Sequence, residues 1–171
     1  PNLVDFARAK TAVYERVEVV SFGPDTHSLL ESELIRVRIK SRNPRTRMSA
    51  LAELATHGWD QMAAELEQMT ADCDALVTGS LGQEMAFNMA ESVGSAFLAL
   101  HYCPLRKNDV VPVSPGFTLP GALNRSMWAL AENLRFKSMK TRENEQRAAL
   151  GLAPTSDSLP VRCARYGGVE I

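Results

Sequence analysis

Between Asp74 and Pro104 two short apolar runs flank a segment with helical spacing, and each run ends in small or polar residues. The first run, Ala75 to Val77, closes on Thr78-Gly79-Ser80. The second, Ala96 to Tyr102, leads into Cys103-Pro104. In the segment between them, Gly82 to Val93, one side carries Met85, Ala86, Phe87, Met89 and Ala90. A crossover of this length with a helical period predicts a strand–helix–strand unit with parallel strands. Parallel strands point their carboxyl ends the same way, and ligands of such sheets sit outside those ends. Thr78-Gly79-Ser80 and His101-Tyr102-Cys103 are therefore expected on one rim. Gln83 and Glu84 join them from the amino end of the helix. Gly79 and Gly82 supply the sharp turn. Any site on this chain is expected there.

The rest of the chain is read around that unit. The region from Pro1 to about Tyr14 has the spacing of a short helix, with Pro1 suited to a first turn. Val17 to Phe22 reads as a strand closed by Gly23-Pro24-Asp25. Thr26 to Met48 carries Arg36, Arg38, Lys40, Arg42, Arg45 and Arg47. It reads as a mobile basic loop, or as a short helix followed by one, and its charges as a solvated face rather than an anion site. Ser49 to Asp72 predicts one amphipathic helix, with Ser49 as its cap and Gly58 as a close packing point. After Pro104 a proline-rich stretch, including Asn108 to Gly121, predicts a long semi-rigid loop over the rim. Ala122 to Leu150 predicts a long helix whose charged second half is mostly solvated and whose end is capped by Gly151. A loop follows, and "GGVEI" reads as a strand beginning.

Composition excludes several classes. The chain has 171 residues, 45% hydrophobic and 23% charged, enough for a soluble domain with a core. Its net charge of −1 gives no argument for nucleic acid. No apolar run reaches the length of a membrane span. Cys73, Cys103 and Cys163 are far apart and form no Cys-x-x-Cys pair, so neither a disulfide framework nor zinc is expected, and the default compartment is the reducing cytoplasm. No metal is expected: His101 and Cys103 share a strand end, but the sequence offers no further ligands beside them. "GSLGQE" is not a Gly-x-Gly-x-x-Gly fingerprint. Neither a Gly-x-Ser-x-Gly elbow nor a His-Glu-x-x-His helix occurs. His27 reads as a loop residue and His57 as a helix residue. His101 is the histidine of the rim, either a hydrogen-bonded residue that shapes the loop or a group that contacts a bound hydroxyl. Glu84 at a helix start also complements the helix dipole. The start at Pro1 and the end at Ile171 lead us to expect an incomplete domain within a longer chain.

In their order, these motifs resemble the amino-terminal domain of bacterial sterol- and lipid-type UDP-glycosyltransferases of the GT-B fold, the actinobacterial ones especially. The shared features are a strand ending in Thr78-Gly79, then Gln83-Glu84 and Ala86-x-x-x-Ala90-Glu91, then a strand ending in His101-Tyr102-x-Pro104 and a proline-rich loop. "PNLVDFARA" is similar to the family's segment after its second strand and "VEVVSFGPD" to its third. Arg147-x-x-Leu150-Gly151-Leu152 is similar to the end of its long helix. The resemblance covers nearly the whole chain. It implies an α/β, Rossmann-like parallel sheet with helices on both faces: a single acceptor-binding domain, 1–171, that is half of a GT-B fold truncated at both ends. It implies an enzyme, a UDP-glycosyltransferase (hexosyltransferase), that transfers a sugar with inversion to a hydroxyl of a hydrophobic acceptor (lipid, glycolipid or sterol). The catalytic base is then expected before Pro1, and the nucleotide-sugar co-substrate on a domain after Ile171, with no cofactor. Ser80, Gln83, Glu84, His101, Tyr102 and Pro104 match positions on the acceptor side. Peripheral association with the inner face of the membrane fits such acceptors. A non-catalytic Rossmann-like binding module and a degenerate paralogue remain the alternative readings.

Overall fold

Val4, Phe6 and Ala7 lie at helical spacing and open the first helix, α1 (Val4–Thr11), in a computed structural model that describes residues 3–80, 82–113 and 119–171. Pro1, expected in that first turn, lies outside the described residues. The chain divides into two compact units, 1–68 and 69–171.

The first unit is helical: α1, α2 (Thr26–Glu31), a π-helical turn (Leu34–Arg38), α3 (Pro44–Ala55) and α4 (Trp59–Thr70). Val17 to Phe22, expected as a strand, pairs with no strand among the described residues. It has the β-branched composition of a strand, but a strand needs a neighbour to bond, and Val17, Val20 and Phe22 stay exposed. The basic stretch is a loop only over residues 39–43, which hold Lys40 and Arg42. The π-helical turn covers Arg36 and Arg38, and the Asn43 side chain caps α3 by accepting from the Arg45 N–H at 3.0 Å. Asn43, rather than Ser49, therefore starts the helix. His27 falls inside α2 rather than in a loop. The single helix expected from Ser49 to Asp72 is two, broken at Gly58, whose φ is +69°. A Cβ there would lie 2.5 Å from Pro24 Cγ, so the glycine is both the break and a close packing point. His57 lies in that turn.

The second unit carries the sheet. β1 (Ala75–Thr78), β2 (Ala96–Ala99) and β3 (Val169–Glu170) lie in the order β1-β2-β3, all parallel. Between β1 and β2 runs α5 (Gln83–Val93), with Gly82 at its amino cap and Gly94 at its carboxyl cap, both with φ of 73°. α6 (Gly121–Ala149) and α7 (Leu159–Tyr166) connect β2 to β3 and pack on α5. The class is α/β: a three-stranded parallel sheet flanked by helices, as a Rossmann-like half domain requires. α7 lies in a stretch the sequence left without an assigned element, and the beginning of a strand expected at the carboxyl end is β3.

The core gathers on α5. Met85, Phe87, Met89 and Ala90 are buried with Phe97 and Ala99 of β2 and Met139 of α6. Phe87 meets Phe97 edge to face at 5.1 Å and Tyr166 at 5.4 Å. Gln83 through Ala90 are all buried, so α5 has no solvent side over that stretch, and its polar residues need partners inside the protein. Its neighbours supply them. The second half of α6 is mostly solvated as expected, with Lys137, Lys140, Arg142 and Glu145 exposed, but Glu143, Gln146 and Arg147 are buried there with Met139.

Candidate functional site

The register of the sheet brings the expected rim residues to one edge. Thr78 pairs with Ala99 at the carboxyl ends of β1 and β2, and Ser80 and His101 each follow two residues later. The ladder continues into the loop. Leu100 N–H donates to Thr78 O at 2.8 Å, and His101 N–H to Ile171 O at 2.6 Å. Backbone bonds on both sides therefore hold His101 beyond the sheet.

Side chains then knit the rim. His101 Nε2 lies 3.1 Å from Gln83 Oε1, and an Arg106 guanidinium nitrogen donates to the same oxygen at 3.0 Å. Arg106 also pairs with Glu170, its Nε donating to Oε1 at 2.8 Å. Gln83, His101, Arg106 and Glu170 thus form one cluster drawn from α5, β3 and the loop after β2. Burial holds the His101 pKa below the usual histidine value. The charges of Arg106 and Arg135 act the same way, against Glu170. The ring is therefore neutral at neutral pH and acts as a polar group rather than a cation.

Glu84 is oriented away from this cluster. Both of its oxygens accept from Arg135 of α6, each at 2.9 Å, in a bidentate pair with Glu84 buried and Arg135 partly exposed. Burial opposes the charge on Arg135, but the bonds and charge of Glu84 raise its pKa. Ser80 and Gln83 are buried, while Pro104 is exposed and Tyr102 is 85% exposed. The structure thus brings His101 and Gln83 into contact. It places Glu84 in a separate ion pair and leaves Tyr102 and Pro104 as open rim.

The loop after β2 is tied to the start of α6. Asn124 Nδ2 donates to Val111 O at 2.8 Å and Trp128 Nε1 to the same oxygen at 2.7 Å. Asn108 Oδ1 accepts from the Val111 N–H at 2.7 Å. Residues 114–118 of the predicted long loop lie outside the described residues. Within the same half of α6, Leu123, Met127, Leu130 and Leu134 recur at steps of four, three and four, and each is 40–52% exposed. Tyr102 and Val110 add further exposed apolar surface in the loop.

A second polar cluster lies deeper. Asn88 of α5 donates to Gln146 Oε1 at 3.0 Å and accepts from Arg162 at 2.8 Å and Arg147 at 3.1 Å. Arg147 forms a fork with Glu91, at 2.6 and 3.0 Å, and its Nε donates to Ala153 O at 2.7 Å. Arg162 pairs with the fully buried Glu143 and lies 4.9 Å from the Phe87 ring centroid. The hydrogen bonds of Arg147 pull the Glu91 pKa down, and burial lowers that of Arg162. A concavity of about 430 Å³ lies against this network, lined by Phe87, Arg147, Arg162 and Tyr166 among others. Its charges pair with one another, although two buried atoms of the network, Glu143 Oε2 and Arg162 Nε, have no hydrogen-bond partner among the described residues. Beside it, burial pushes the Cys163 thiol up to about 11, which leaves it inert.

Sequence reasoning did not place Arg106, Glu170 or Arg135 at the rim, nor the buried arginines. Arg106 sits in "LRKND", where a charged loop residue reads as solvated. Glu170 carries the usable signal, an acidic residue within the short "GGVEI" run that reads as a strand. Among the described residues, no three His, Cys, Asp or Glu side chains gather as metal ligands. No described helix is long and apolar enough to cross a membrane.

No family model matches the chain. It is similar over 172 residues, at 31% identity, to an uncharacterized glycosyltransferase of Mycobacterium tuberculosis, covering all of this chain and 40% of that protein. An uncharacterized glycosyltransferase of Mycobacterium leprae is 29% identical over 153 residues, 89% of this chain and 35% of its own. An uncharacterized protein of Mycobacterium bovis is 28% identical over 173 residues, all of this chain and 39% of its own. The chain therefore spans about two-fifths of the length of the curated relatives it matches.

Proposed function

We propose that this chain forms the acceptor-binding half of a two-domain, GT-B-type glycosyltransferase. The enzyme would transfer a hexose from a UDP-sugar, with inversion, to a hydroxyl of a lipid, glycolipid or sterol. The observation that carries this reading is the rim, where a neutral, anchored imidazole stands in a loop tied to a helix with an exposed apolar stripe. A hydroxyl on a greasy body needs that combination: a polar group to orient the hydroxyl and apolar surface to hold the rest. The names of the mycobacterial relatives support transfer of a sugar.

In this reading His101 orients the acceptor through one of its hydroxyls. Tyr102, Pro104 and the stripe on α6 give the acceptor its wall, while Ser80, Gln83 and Glu84 build the frame behind it. The chemistry is displacement at the anomeric carbon. A base takes the hydroxyl proton, the oxygen bonds to carbon on the face opposite the leaving group, and the diphosphate departs with the electrons of the broken bond. No base is assigned within this chain. A lipid acceptor would be met by peripheral contact with the inner face of the membrane.

The test uses the full-length protein with UDP-glucose and a panel of hydroxylated lipids and sterols. Sugar transfer is expected, and His101→Ala is expected to raise the acceptor KM about tenfold with kcat little changed, the pattern of a binding contact. Acceptor binding without turnover on any nucleotide-sugar would favour a non-catalytic module. A fall in kcat of several orders of magnitude at unchanged KM would make His101 the base instead.

A further inference from the structure

We infer that Arg106, held by Glu170 and Gln83, is a positioning residue that fixes His101 as its Nε2–H tautomer. The Nδ1 lone pair of the ring is then the hydrogen-bond acceptor for a hydroxyl of the bound molecule. The tautomer follows from the geometry alone. The hydroxyl rests on the glycosyl-transfer reading above.

The argument runs through one oxygen. A guanidinium has five N–H donors and no acceptor. The Gln83 atom 3.0 Å from Arg106 must therefore be the amide oxygen, not its nitrogen. The same atom lies 3.1 Å from His101 Nε2. A carbonyl oxygen cannot donate, so Nε2 must carry the proton. In a neutral imidazole the other nitrogen is then the acceptor. The guanidinium thus sets the tautomer of a ring with which it shares no hydrogen bond.

Arg106 is itself held. Its Nε donates to Glu170 Oε1 at 2.8 Å and a terminal nitrogen pairs with the same carboxylate, so Glu170 anchors the fork and offsets its charge. Glu170 is paired in register with Ala99 in β3, and the His101 N–H is bonded to Ile171 O, so the sheet itself sets the spacing of the cluster. Gln83 is 1% exposed, so it has little room to turn away. Remove Arg106 and nothing within this cluster distinguishes the two ends of the Gln83 amide. With the amide flipped, its NH₂ group would donate to Nε2 and the proton would move to Nδ1. His101 would then present a donor where the wild type presents an acceptor. The hydroxyl held there is one that does not react, since a hydroxyl whose single proton is bonded to Nδ1 has none to give a separate base. Such a hydroxyl needs the acceptor, because a donor would leave its proton unbound. The lowered His101 pKa agrees, since a protonated ring would donate from both nitrogens.

The experiment is long-range proton–nitrogen correlation NMR on the full-length protein with ¹⁵N-labelled histidine, His101 being assigned by its loss in His101→Ala. The wild type is expected as Nε2–H at neutral pH. Arg106→Gln is expected to shift the population toward Nδ1–H and to raise the acceptor KM about tenfold at similar kcat. Arg106→Lys, which keeps a donor toward Gln83, is expected to restore the Nε2–H form. Should Arg106→Gln fail to fold, Glu170→Gln loosens the same guanidinium and should move the tautomer in the same direction by less. An Nδ1–H wild type, or a tautomer indifferent to every one of these changes, overturns the relay. A tautomer that shifts while the acceptor KM stays put overturns the role at the hydroxyl. If the tautomer responds as expected but no nucleotide-sugar is ever consumed, the transfer reading fails, the hydroxyl assignment falls with it, and the relay stands.

Discussion

Helix α5 carries polar side chains into the protein at both of its ends, and the two ends are built differently. At the carboxyl half, Asn88 and Glu91 meet Arg147, Arg162, Glu143 and Gln146, and nearly all of the cluster is buried. At the amino end, Gln83 meets His101 and Arg106 in a cluster that is only part-buried and opens on Tyr102. The first cluster directs its charges at each other, and the atoms it leaves unbonded, Glu143 Oε2 and Arg162 Nε, are buried away from any ligand. The second ties its members together but leaves His101 Nδ1 without a hydrogen bond among the described residues. Burial of charge alone therefore does not mark a site here. What separates the two ends is whether the atoms left unbonded are sealed inside the protein or stand at a part-exposed rim.

Breaking the closed end should have the largest effect. Arg162→Met removes the cation opposite the fully buried Glu143 and one of the donors to Asn88. Taking one partner from a buried pair leaves an uncompensated charge, so a loss of about 3–5 kcal/mol in unfolding free energy is expected. Urea denaturation measures it. A loss below about 1 kcal/mol would mean that water reaches the Glu143 carboxylate and that the two ends of α5 differ less than described.

The contrast also explains what could be read in advance. The strand–helix–strand unit was legible because apolar strands and an apolar helix face leave a hydropathy pattern, and β1, α5 and β2 fall where it puts them, although β1 is left partly open, with Val77 exposed. The closed network left no such pattern. Glu143 and Arg147 lie in a charged stretch that reads as solvated, because hydropathy assigns charge to the surface and cannot foresee a partner 19 residues away for Glu143 or 56 for Arg147. Val17 to Phe22 failed for the opposite reason. Its composition suits a strand, but pairing depends on a neighbour that composition does not reveal. The break at Gly58 is a left-handed residue within a continuous apolar stripe, and the stripe concealed it. At the rim His101, Gln83 and the shared edge were legible from topology. Arg106 and Glu170 were not, since their meeting depends on how the loop after β2 folds over β3.

The open end should respond to pH where the closed end does not. Burial, Arg106 and Arg135 hold the His101 pKa below its usual value, while Glu170 opposes them. Because the folded value is the lower one, the neutral ring and the stability tied to it are fully present above the ordinary histidine range. Both are lost as pH falls through the folded value. Acceptor KM should therefore stay flat through the usual histidine range and rise about tenfold below it, worth about 1.4 kcal/mol. His101→Ala should flatten that rise. A KM that climbs through the ordinary histidine range would show that Arg106 and burial do not govern the ring.

The smallest effect is expected where a charge pair belongs to neither cluster. Arg125 in the first turns of α6 donates to Asp109 at 2.8 Å across the loop after β2. Both side chains are about half exposed, at 55% and 51%. An exposed pair gains modest Coulomb energy, loses side-chain entropy and is screened by salt. The loop does not depend on it, because Asn124 and Trp128 already hold Val111 O from the same helix and Asn124 is buried. Arg125→Ala should therefore cost less than about 1 kcal/mol and leave the His101 tautomer unchanged, and added salt should shrink even that cost. Urea denaturation at low and high salt measures it, beside Arg162→Met as the reference. A cost of several kcal/mol that salt does not touch would place Arg125 in a closed network after all. The line drawn between paired charges that hold the fold and paired charges that merely decorate it would then have to move.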